Sequence, residues 1–438
     1  MKKSTLILSL LILVLFQACT TESNTKLLEY TDVNGKQIPI YRFDLVNDSA
    51  IDIPLSILFE DVDIVPLETN KDLLIAYGNV LLTEQSVIIS TIFRSNPTRI
   101  LEFDLNGNFI REFGGIGNGP GEHTGNYAYK LKIHPNDNVL QVSIYGDRFE
   151  EHEYDLQGNF IRIIHQPFDL TLGPCRLSSD KYFVSGSATG IPKFKKDSFL
   201  ITFFKPDGTW IDAIPRQIYP AANNNGYIPY GNNSTWQFNN HWYYYTSAYD
   251  TLYQISETHL IPRAVCLFGD NHSQAGKFVD PQTEVGRYTL EIIKETDDFI
   301  YFKKEHLYKM EAKEYAPGSW SSMSYLNYST LLWDKNSGKG YNIRFKDDIL
   351  GLLQRNYYEL EINWGEYGTS KFVPTEDLLT WLEEAHASGT IPERAKERIK
   401  KLENLIDENS NPLVFLFKER PEEEFTKRIE EFISSKTK

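Results

Sequence analysis

Cysteine is scarce in this chain, and the motifs of the common catalytic centres are missing. Three cysteines occur in 438 residues, and no Cys/His group has the spacing of a zinc site. Neither an H-E-x-x-H helix nor a G-x-S-x-G elbow is present. Cys175 and Cys266 could pair in an oxidising compartment, or could remain buried thiols that pack as small hydrophobic residues. Two cysteines do not amount to a disulfide framework.

Positive charge is also in short supply. The chain has 45 lysine and arginine residues against 60 aspartate and glutamate residues, which gives a formal net charge of −15. Nucleic-acid binding requires a basic face for the phosphates, so this composition argues against a nucleic-acid partner. It argues equally against a basic patch for a membrane surface. Any link to a membrane must therefore come from another source.

The chain has no long apolar run, and the apolar run at its N-terminus is short. Lys2 and Lys3 form a basic region, and residues 6–16 are apolar apart from Ser9. A bilayer-spanning helix needs about 20 apolar residues, so this run is too short to span. It has the length of the apolar region of a secretory signal peptide. We therefore predict a signal peptide at residues 1–18.

The end of this leader contains the first cysteine. Residues 16–19 read FQAC and resemble a bacterial lipobox, although Phe16 stands where leucine is usual. The resemblance implies cleavage before Cys19, lipidation of Cys19 and a polar tether at residues 19–27. The protein would then be an outer-membrane lipoprotein facing the periplasm or the cell surface. The alternative is an ordinary signal peptide followed by an incidental cysteine.

Two stretches of the chain are nearly identical. Residues 103–113 read FDLNGNFIREF and residues 154–164 read YDLQGNFIRII, with seven identical positions at an offset of 51. A fainter copy, FFKPDGTWIDAI, occupies residues 203–214. In the two stronger copies apolar residues flank a D-x-x-G turn, in which the aspartate can make an Asx turn and the glycine can adopt a positive φ. Each copy is therefore predicted to be a β-hairpin.

The period of the repeat indicates the architecture. A unit of about 50 residues is typical of a four-stranded propeller blade. We predict an all-β, six-bladed β-propeller within residues 28–438. The predicted units are residues 72–114, 122–166, 170–215, 224–268, 283–346 and a last unit from about 350. Residues 57–67 are interpreted as an edge strand, and residues 411–417 are predicted to return to β-structure after the last unit's interruption.

The last unit is interrupted by a segment with helical periodicity. We predict a helical insertion at about residues 375–407, with Thr375 as a helix cap and a capping box at Thr390–Glu393. A terminal amphipathic helix is predicted at about residues 421–435. In both helical regions the apolar residues recur at helical spacing, which indicates packing against the propeller rather than partner binding. These residues are Ala395, Ile399, Leu402 and Ile406, and then Phe425, Ile429, Phe432 and Ile433.

Several segments resemble one family. RILEFDLNGNFIREFGGIGNGPGEH at residues 99–123 resembles the first full repeat of the six-bladed, NHL-like propeller lipoproteins of Bacteroidetes. Residues 52–69, 250–255 and 411–419 are similar to the opening strand, fourth-blade signature and closing strand of that family. GNGPGE, at residues 117–122, is the most specific element. The resemblance covers about residues 50–420 and implies a ring closed by N- and C-terminal strands in one blade. It implies no particular reaction.

The glycine-rich run GGIGNGPGEH cannot be a regular strand. We interpret it as the link between the outer strand of one blade and the inner strand of the next. A phosphate-binding loop is the alternative, but such a loop needs Gly-Lys-Ser/Thr at the start of a helix. Glu122, His123 and Tyr127 follow this link and are predicted to lie near the central face as candidate ligand-binding residues. The alternative is a loop carboxylate and a solvated imidazole.

A second candidate is the aromatic cluster of the fourth unit. Trp236, Trp242 and Tyr244 lie within it, and neighbouring residues of WYYYT must point to opposite faces of a strand. Exposed aromatic rings would form a platform for a sugar or a peptide. Buried rings would instead pack one blade against the next. The two alternatives differ in the exposure of the rings.

Together these features predict a binding scaffold of the cell envelope. The central face of a propeller collects loops from every blade and is the expected ligand site. The expected partners are the membrane, through the N-terminal lipid, and a glycan, a peptide or another envelope protein. No cofactor is predicted. The alternative function is a metal-dependent lyase or hydrolase of the propeller type, with ligands that converge from several blades.

Overall fold

A computed structural model describes residues 28–69, 72–91, 98–124, 127–134, 137–145, 149–167, 173–185, 199–215, 233–246, 249–270, 272, 285–316, 319–352, 363–365, 368–407 and 409–436. Within these residues the strands form six sheets, arranged as the blades of a β-propeller. The predicted fold class is therefore confirmed. No described helix is long and apolar enough to cross a bilayer.

The first three blades are simple four-stranded antiparallel meanders, each ordered from the inner strand to the outer strand. Blade one contains β5 (Gly78–Leu82), β6 (Ser86–Thr91), β7 (Ile100–Asp104) and β8 (Phe109–Glu112). Blade two contains β9 (Tyr127–His134), β10 (Val139–Tyr145), β11 (Phe149–Asp155) and β12 (Phe160–Ile164). Blade three contains β13 (Cys175–Ser178), β14 (Lys181–Ser185), β15 (Phe199–Phe204) and β16 (Trp210–Pro215).

The last three blades each take additional strands from the N-terminal part of the chain. Blade four contains β17 (Asn233–Phe238), β18 (His241–Thr246), β19 (Thr251–Ser256) and β20 (His259–Leu267). Blade five contains β21 (Tyr288–Glu295), β22 (Phe299–Ala316), β23 (Ser319–Asp334) and β24 (Lys339–Lys346). Blade six contains β25 (Asn363–Gly365), β26 (Gly368–Val373) and β27 (Leu413–Glu419).

The N-terminal segment runs along the outer edges of these three blades in turn. Its strands are β1 (Glu29–Val33), β2 (Lys36–Arg42), β3 (Ile51–Pro54) and β4 (Phe59–Pro66). The β1–β2 hairpin extends blade four through parallel pairing of β2 with β20, and β3 pairs in parallel with β24 of blade five. β4 is the fourth strand of blade six and pairs antiparallel with β27. The predicted closure is confirmed, whereas the additions to blades four and five were not predicted.

The repeated turns have the predicted geometry. The Asp104 carboxylate accepts hydrogen bonds from the backbone N–H groups of Asn106 and Asn108 at 2.8 and 2.9 Å. Asp155 makes the same contacts in the second copy. The glycines of the three copies have φ values of +88°, +91° and +83°. The D-x-x-G pattern therefore encodes the same hairpin turn in blades one and two, while blade three turns at K-P-D-G, residues 205–208, with only the glycine in common.

The two stronger copies also carry an ion pair at equivalent positions. Arg111 lies 2.8 Å from Glu102 in blade one, and Arg162 lies 2.9 Å from Glu153 in blade two. Each arginine also donates to a backbone carbonyl of the next blade: Arg111 to Gln157, and Arg162 to Ser179 at 2.8 Å. The repeated arginine therefore connects each blade to the next. The faint third copy has Phe203 and Asp212 at these two positions and lacks the pair.

Helices fill the connection between the second and third strands of blade six. They are α1 (Thr375–Ser388) and α2 (Lys396–Glu403), and α3 (Glu422–Lys436) follows β27. The predicted caps were wrong. Thr375 lies inside α1 and donates to the carbonyls of Ser410 and Asn411, while Thr390 donates to the Gly351 carbonyl. Both threonine hydroxyls therefore form hydrogen bonds to the backbone of neighbouring segments instead of capping a helix.

The helices bury the predicted faces. The four apolar residues of the insertion are buried, as are Phe425, Ile429 and Ile433 of α3. They join one hydrophobic cluster with Phe59, Phe299 and Phe415 of blades five and six. Cys175 and Cys266 are both buried free thiols. Of the two alternatives, the structure therefore shows packed thiols and not a disulfide.

Blade five carries a ribbon that no other blade among the described residues has. β21 pairs with β22 as far as His306, and β24 pairs with β23 only from Thr330 onward. Beyond these limits β22 and β23 continue to pair with each other, from Leu307–Leu326 to Ala316–Ser319. We call residues 307–316 and 319–328 the ribbon. It leaves the propeller on the face where β21 begins.

Candidate functional site

The glycine-rich link lies where it was predicted but does not open toward the centre. It connects β8 to β9 and turns at Gly114 and Gly121, whose φ values are +68° and +78°. A Cβ built at Gly121 would stand 2.7 Å from the Phe160 ring, and one at Gly114 would stand 2.6 Å from the Tyr154 hydroxyl. The link therefore packs against β11 and β12, the two outer strands of blade two.

Glu122 is used within this link. Its carboxylate accepts a hydrogen bond from the Gly119 backbone N–H at 2.7 Å and occupies the space where a Cβ of Gly117 would lie. The Glu122 side chain remains exposed at the surface. The contact provides a structural reason for the glycines of GNGPGE. Ligand binding by Glu122 stays a prediction.

His123 is buried instead of solvated, with an exposed fraction of 3 %. Its ring stands edge-on to His152 at 6.2 Å, and its Nδ1 has no hydrogen-bond partner among the described residues. Burial, and to a smaller extent the nearby His152, lower the pKa of His123 to about 4. His123 is therefore a neutral core imidazole near neutral pH, so the alternative of a solvated ring is not the one found, and ligand binding by His123 stays a prediction.

Two further candidates fall partly or wholly outside the described structure. Tyr127 is the first residue of β9, as its proposed place on an inner strand requires, but its side chain lies outside the described part. Cys19 lies in residues 1–27, which are outside the described residues. Both assignments stay predictions.

The aromatic residues of blade four pack between blades. Trp236 is buried, stacks on Tyr243 at 5.4 Å, and donates from its indole to Glu295 of blade five at 2.8 Å. Trp242 is buried and donates to the Arg176 carbonyl of blade three at 2.8 Å. Tyr244 is completely buried. The exposed platform is therefore not present, and the packing alternative accounts for these rings.

A polar cavity lies elsewhere, at the base of the ribbon. Its volume is about 330 Å³, and it spans blade five from β21 to the N-terminal segment between β2 and β3. The ribbon rises beside it, on the face where the inner strands begin. The residues that line the cavity are Asp48, Ala50, Gly286, Tyr288, Lys304, His306, Asn327, Tyr328, Ser329, Asn342 and Arg344.

The β-sheet register explains why these side chains meet. Tyr288 pairs with His306, His306 pairs with Asn327, and Lys304 pairs with Ser329. Alternate residues of a strand share a face, so Lys304 and His306 point to the same side of the sheet. That side also carries Phe302 and Leu331, which belong to the apolar cluster between blades four and five. The cavity is the polar continuation of this apolar interface.

Lys304 is the buried cation of the cavity wall. Its ammonium group lies 2.8 Å from the Asp48 carboxylate and 4.3 Å from the centre of the Tyr288 ring. The Lys304 side chain is 7 % exposed, whereas that of Asp48 is 62 % exposed. Burial raises the pKa of the Tyr288 hydroxyl, so this aromatic wall stays uncharged. The cavity therefore combines a sheltered positive charge with a neutral ring.

Several other polar groups of the cavity have no partner within the described part of the chain. Asn342 is 4 % exposed and donates to the Asp48 carbonyl at 2.6 Å, but its Oδ1 has no hydrogen bond. His306, Asn327 and Ser329 make no side-chain hydrogen bond to described residues. A buried oxygen without a partner is costly unless water or a ligand satisfies it. The Asn342 oxygen is shielded from solvent, so the groups that a bound molecule could contact are His306, Asn327 and Ser329, which are partly or fully exposed.

The sequence contained little signal for this cavity. Its residues come from the four strands β21 to β24 and two connecting segments, and the two ends of the set, Asp48 and Arg344, lie almost 300 positions apart. One signal was present, because the fifth unit is longer than the others and its additional length forms the ribbon. Among the described residues, no three His, Cys, Asp or Glu side chains are grouped as metal ligands would be.

Comparison with known proteins shows a family and several solved structures with a related fold. The family described as a domain of unknown function, DUF4934, matches residues 38–418. A candidate exported protein from Bacteroides fragilis NCTC 9343 superimposes with a TM-score of 0.56 at 15 % identity, covering 87 % of this chain and 100 % of that chain. At this identity the likeness concerns the fold. No curated protein matches the chain.

Two other solved structures are more distant. A candidate oxidoreductase (glucose dehydrogenase) from Thermus thermophilus has a TM-score of 0.30 at 11 % identity, covering 81 % of this chain and 100 % of that chain. The β-propeller domain of Cps50 (Swd1) from Myceliophteria thermophila has a TM-score of 0.31 at 10 % identity, covering 63 % of this chain and 88 % of that chain. These scores are low, and we draw no conclusion from either structure.

Proposed function

Since this chain belongs to the DUF4934 family, which carries no assigned function, we propose from its own geometry that it is a ligand-binding scaffold of the cell envelope. The leader at residues 1–18 supports export. The Bacteroides fragilis neighbour, itself described as a candidate exported protein, is consistent with export. Lipidation at Cys19 would hold the propeller at the outer membrane, facing the periplasm or the cell surface.

The cavity at the base of the ribbon is the proposed ligand site, and its open polar groups are the observation that supports it. A volume of about 330 Å³ falls within the usual range for small-molecule sites. Fixed strands of one sheet supply most of the wall, so the polar groups are held in place before a ligand arrives. Preorganisation of this kind reduces the entropic cost of binding.

A blocking substitution at the rim tests this proposal. Asn327 is exposed beside His306, so Asn327→Trp adds a large ring at the mouth of the cavity without burying new polar groups. Soluble glycans, peptides and small metabolites would be screened by thermal shift against the wild-type protein and this variant. Lys309→Trp adds the same ring on β22 outside the cavity and serves as the control.

The expected result is at least one compound that raises the melting temperature of the wild type and of Lys309→Trp but not of Asn327→Trp. The proposal would fail if every compound that binds the wild type also binds Asn327→Trp with unchanged affinity. In that case the ligand site would lie elsewhere on the propeller.

A further inference from the structure

The two strands of the ribbon differ in charge. Residues 319–330 of β23 read SWSSMSYLNYST and contain neither a charged residue nor a proline, although 24 % of the whole chain is charged. The facing residues 307–316 of β22 include both lysine and glutamate. The charged residues of this segment are Lys309, Glu311, Lys313 and Glu314. The ribbon therefore combines one charged strand with one neutral strand.

The neutral strand has an open outer edge. β24 pairs with β23 only from the Thr330–Ile343 pair onward. From Ser319 to Asn327, β23 pairs with β22 on one side, and no strand of the described ranges pairs with its other side. The backbone N–H and C=O groups along such an edge can accept another strand. The edge of the ribbon on the β23 side is therefore a surface for strand addition.

Edge strands of natural sheets usually carry residues that prevent strand addition. Lysine, proline and β-bulges are common means of protection. β22 has Lys309 and Lys313, and its pairing with β23 shifts register next to Leu307 and next to Glu314. Residues 319–330 have no lysine and no proline, and their aromatic residues favour β-structure. The sequence of β23 thus favours the addition that a charged strand would resist.

A ribbon of two strands also gains stability from further strands. Each of its strands is ten residues long, or about 33 Å at the usual rise per residue. Two-stranded ribbons are marginally stable in water, and three or more strands are needed for independent stability. Over residues 319–326 the described part of the chain supplies no third strand. A strand added to β23 would therefore stabilise the ribbon and satisfy its edge together.

A second copy of this chain supplies a suitable strand. A two-fold axis brings β23 of one copy against β23 of the other in antiparallel order, which is an isologous contact. Like charges directly opposite each other destabilise paired strands, and residues 319–330 carry no charge. The two β22 strands become the outer strands of the joint sheet. Their lysines, Lys309 and Lys313, then protect its edges, so that addition stops at two copies.

We propose that the ribbon is a self-association arm, through which two copies of the chain form a four-stranded intermolecular sheet. Full overlap centred on Ser324 sets Ser319 of one copy opposite Ser329 of the other. One pair of short strands buries little area, so the dimer is transient, with a Kd on the order of micromolar. The monomer therefore predominates in dilute solution. Association through this arm requires no ligand in the cavity.

Sedimentation velocity of the purified chain tests the proposal. All samples carry Cys19→Ser, so that a lipid at the N-terminus cannot cause association. Between about 1 μM and about 200 μM we expect monomer to convert to dimer as the concentration rises, with no larger species. A chain that stays monomeric over this range overturns the proposal. Growth beyond the dimer overturns it as well, because charged outer strands should end the sheet.

Two changes locate the contact on the ribbon. Ser322→Lys combined with Ser324→Lys brings lysines of the two copies together and should weaken dimerisation about ten-fold or more. Replacement of residues 311–323 by Asn-Gly joins Met310 to its partner Ser324 through a two-residue turn. This shortened ribbon lacks most of the neutral edge, and it should abolish the dimer while the rest of blade five is unchanged.

A matched control separates the contact from a general effect of charge. Ser388→Lys combined with Ser435→Lys adds the same charge at exposed positions of α1 and α3 and should leave the dimer unchanged. Equal weakening by this control, or a dimer that survives both ribbon changes, would overturn the proposal. Melting temperatures verify that each variant is folded. If the shortened chain does not fold, the Ser322→Lys and Ser324→Lys variant alone decides.

Discussion

Gly107 lies directly against the backbone of Pro66. A Cβ built on Gly107 would stand 2.0 Å from the Pro66 carbonyl oxygen, and the Gly107 carbonyl accepts a hydrogen bond from the Glu68 N–H at 2.8 Å. Gly107 belongs to the first repeat turn in blade one, and Pro66 ends the outer strand of blade six. The glycine is thus required twice, for its positive φ and for the contact that joins the last blade to the first.

Replacement of Gly107 by alanine tests this contact. We expect Gly107→Ala to lower the free energy of unfolding by about 1–2 kcal/mol through its left-handed φ, and by about another 1–3 kcal/mol through the forced backbone displacement. Gly35→Ala is the matched control, since Gly35 has a φ of +81° with no atom within 4 Å of the added Cβ. Equal losses in urea denaturation would show that the blade contact is unimportant.

Removal of the C-terminal strand should abolish the fold. Deletion of residues 408–438 removes β27 and α3, exposes the edge of β4 and uncovers Phe59 and Phe299. Unpaired strand edges promote aggregation. We therefore expect loss of cooperative unfolding and of the monomer in size-exclusion chromatography. Removal of Lys436–Lys438 alone should leave the melting temperature unchanged, and a monomeric long truncation with an unchanged melting temperature would contradict a single cooperative domain.

The buried indole of Trp236 should contribute mainly to stability. Trp236→Ala creates a cavity between blades four and five and leaves Glu295 without one of its donors. Substitutions of this kind cost about 3–5 kcal/mol. Trp210 is 40 % exposed, and Trp210→Ala should cost much less in the same denaturation experiment. Unchanged stability of Trp236→Ala would restore the idea of an exposed aromatic platform.

The buried histidines make stability depend on pH. Burial lowers the pKa of His123 to about 4 in the folded state, against about 6.5 in an unfolded chain. The unfolded state therefore binds more protons between these values, and the free energy of unfolding falls as the pH drops from about 6.5 to about 4. His123→Phe should reduce this dependence of the free energy of unfolding on pH, measured in denaturation curves from about pH 7.5 to about pH 4.5. A slope that His123→Phe leaves unaltered would contradict the assignment.

Lipidation at Cys19 remains a prediction of the leader sequence. Cys19→Ser should move the protein from the membrane fraction to the soluble fraction and abolish labelling by a palmitate analogue. Retention in the membrane with unchanged labelling would exclude Cys19 as the site. Cys175→Ser is the control, because Cys175 is buried in the propeller and cannot accept a lipid without unfolding.

The sequence predicted the local elements well because their causes are local. The D-x-x-G turns depend on one aspartate and one glycine, and the helical faces depend on residues three or four positions apart. The pairing of β4 with β27 was also predicted, but from resemblance to a family. Position relative to other blades was predicted poorly: His123 follows a loop in the chain, yet neighbouring strands of blade two bury it.

The candidate site illustrates the same limit. Whether Trp242 is exposed depends on Phe183 and the Arg176 carbonyl of another blade, which sequence periodicity does not reveal. The cavity at the base of the ribbon depends on the N-terminal segment that brings Asp48 to blade five, some 250 residues from Lys304 along the chain. No sequence pattern within a single repeat predicts a contact between residues so far apart in the chain.

The path of the N-terminal segment imposes an order on biosynthesis. Residues 29–66 are synthesised before the rest of the propeller. The later strands with which they pair lie at residues 259–267, 339–346 and 413–419. Strand β2 therefore keeps an unpaired edge until more than half of the polypeptide has been made, and β4 keeps one until nearly all of it has been made. Contacts of such separation are slow to form because long loops must close first. Completion of the ring is consequently a late event that follows translation, and the nascent chain needs protection from aggregation until then.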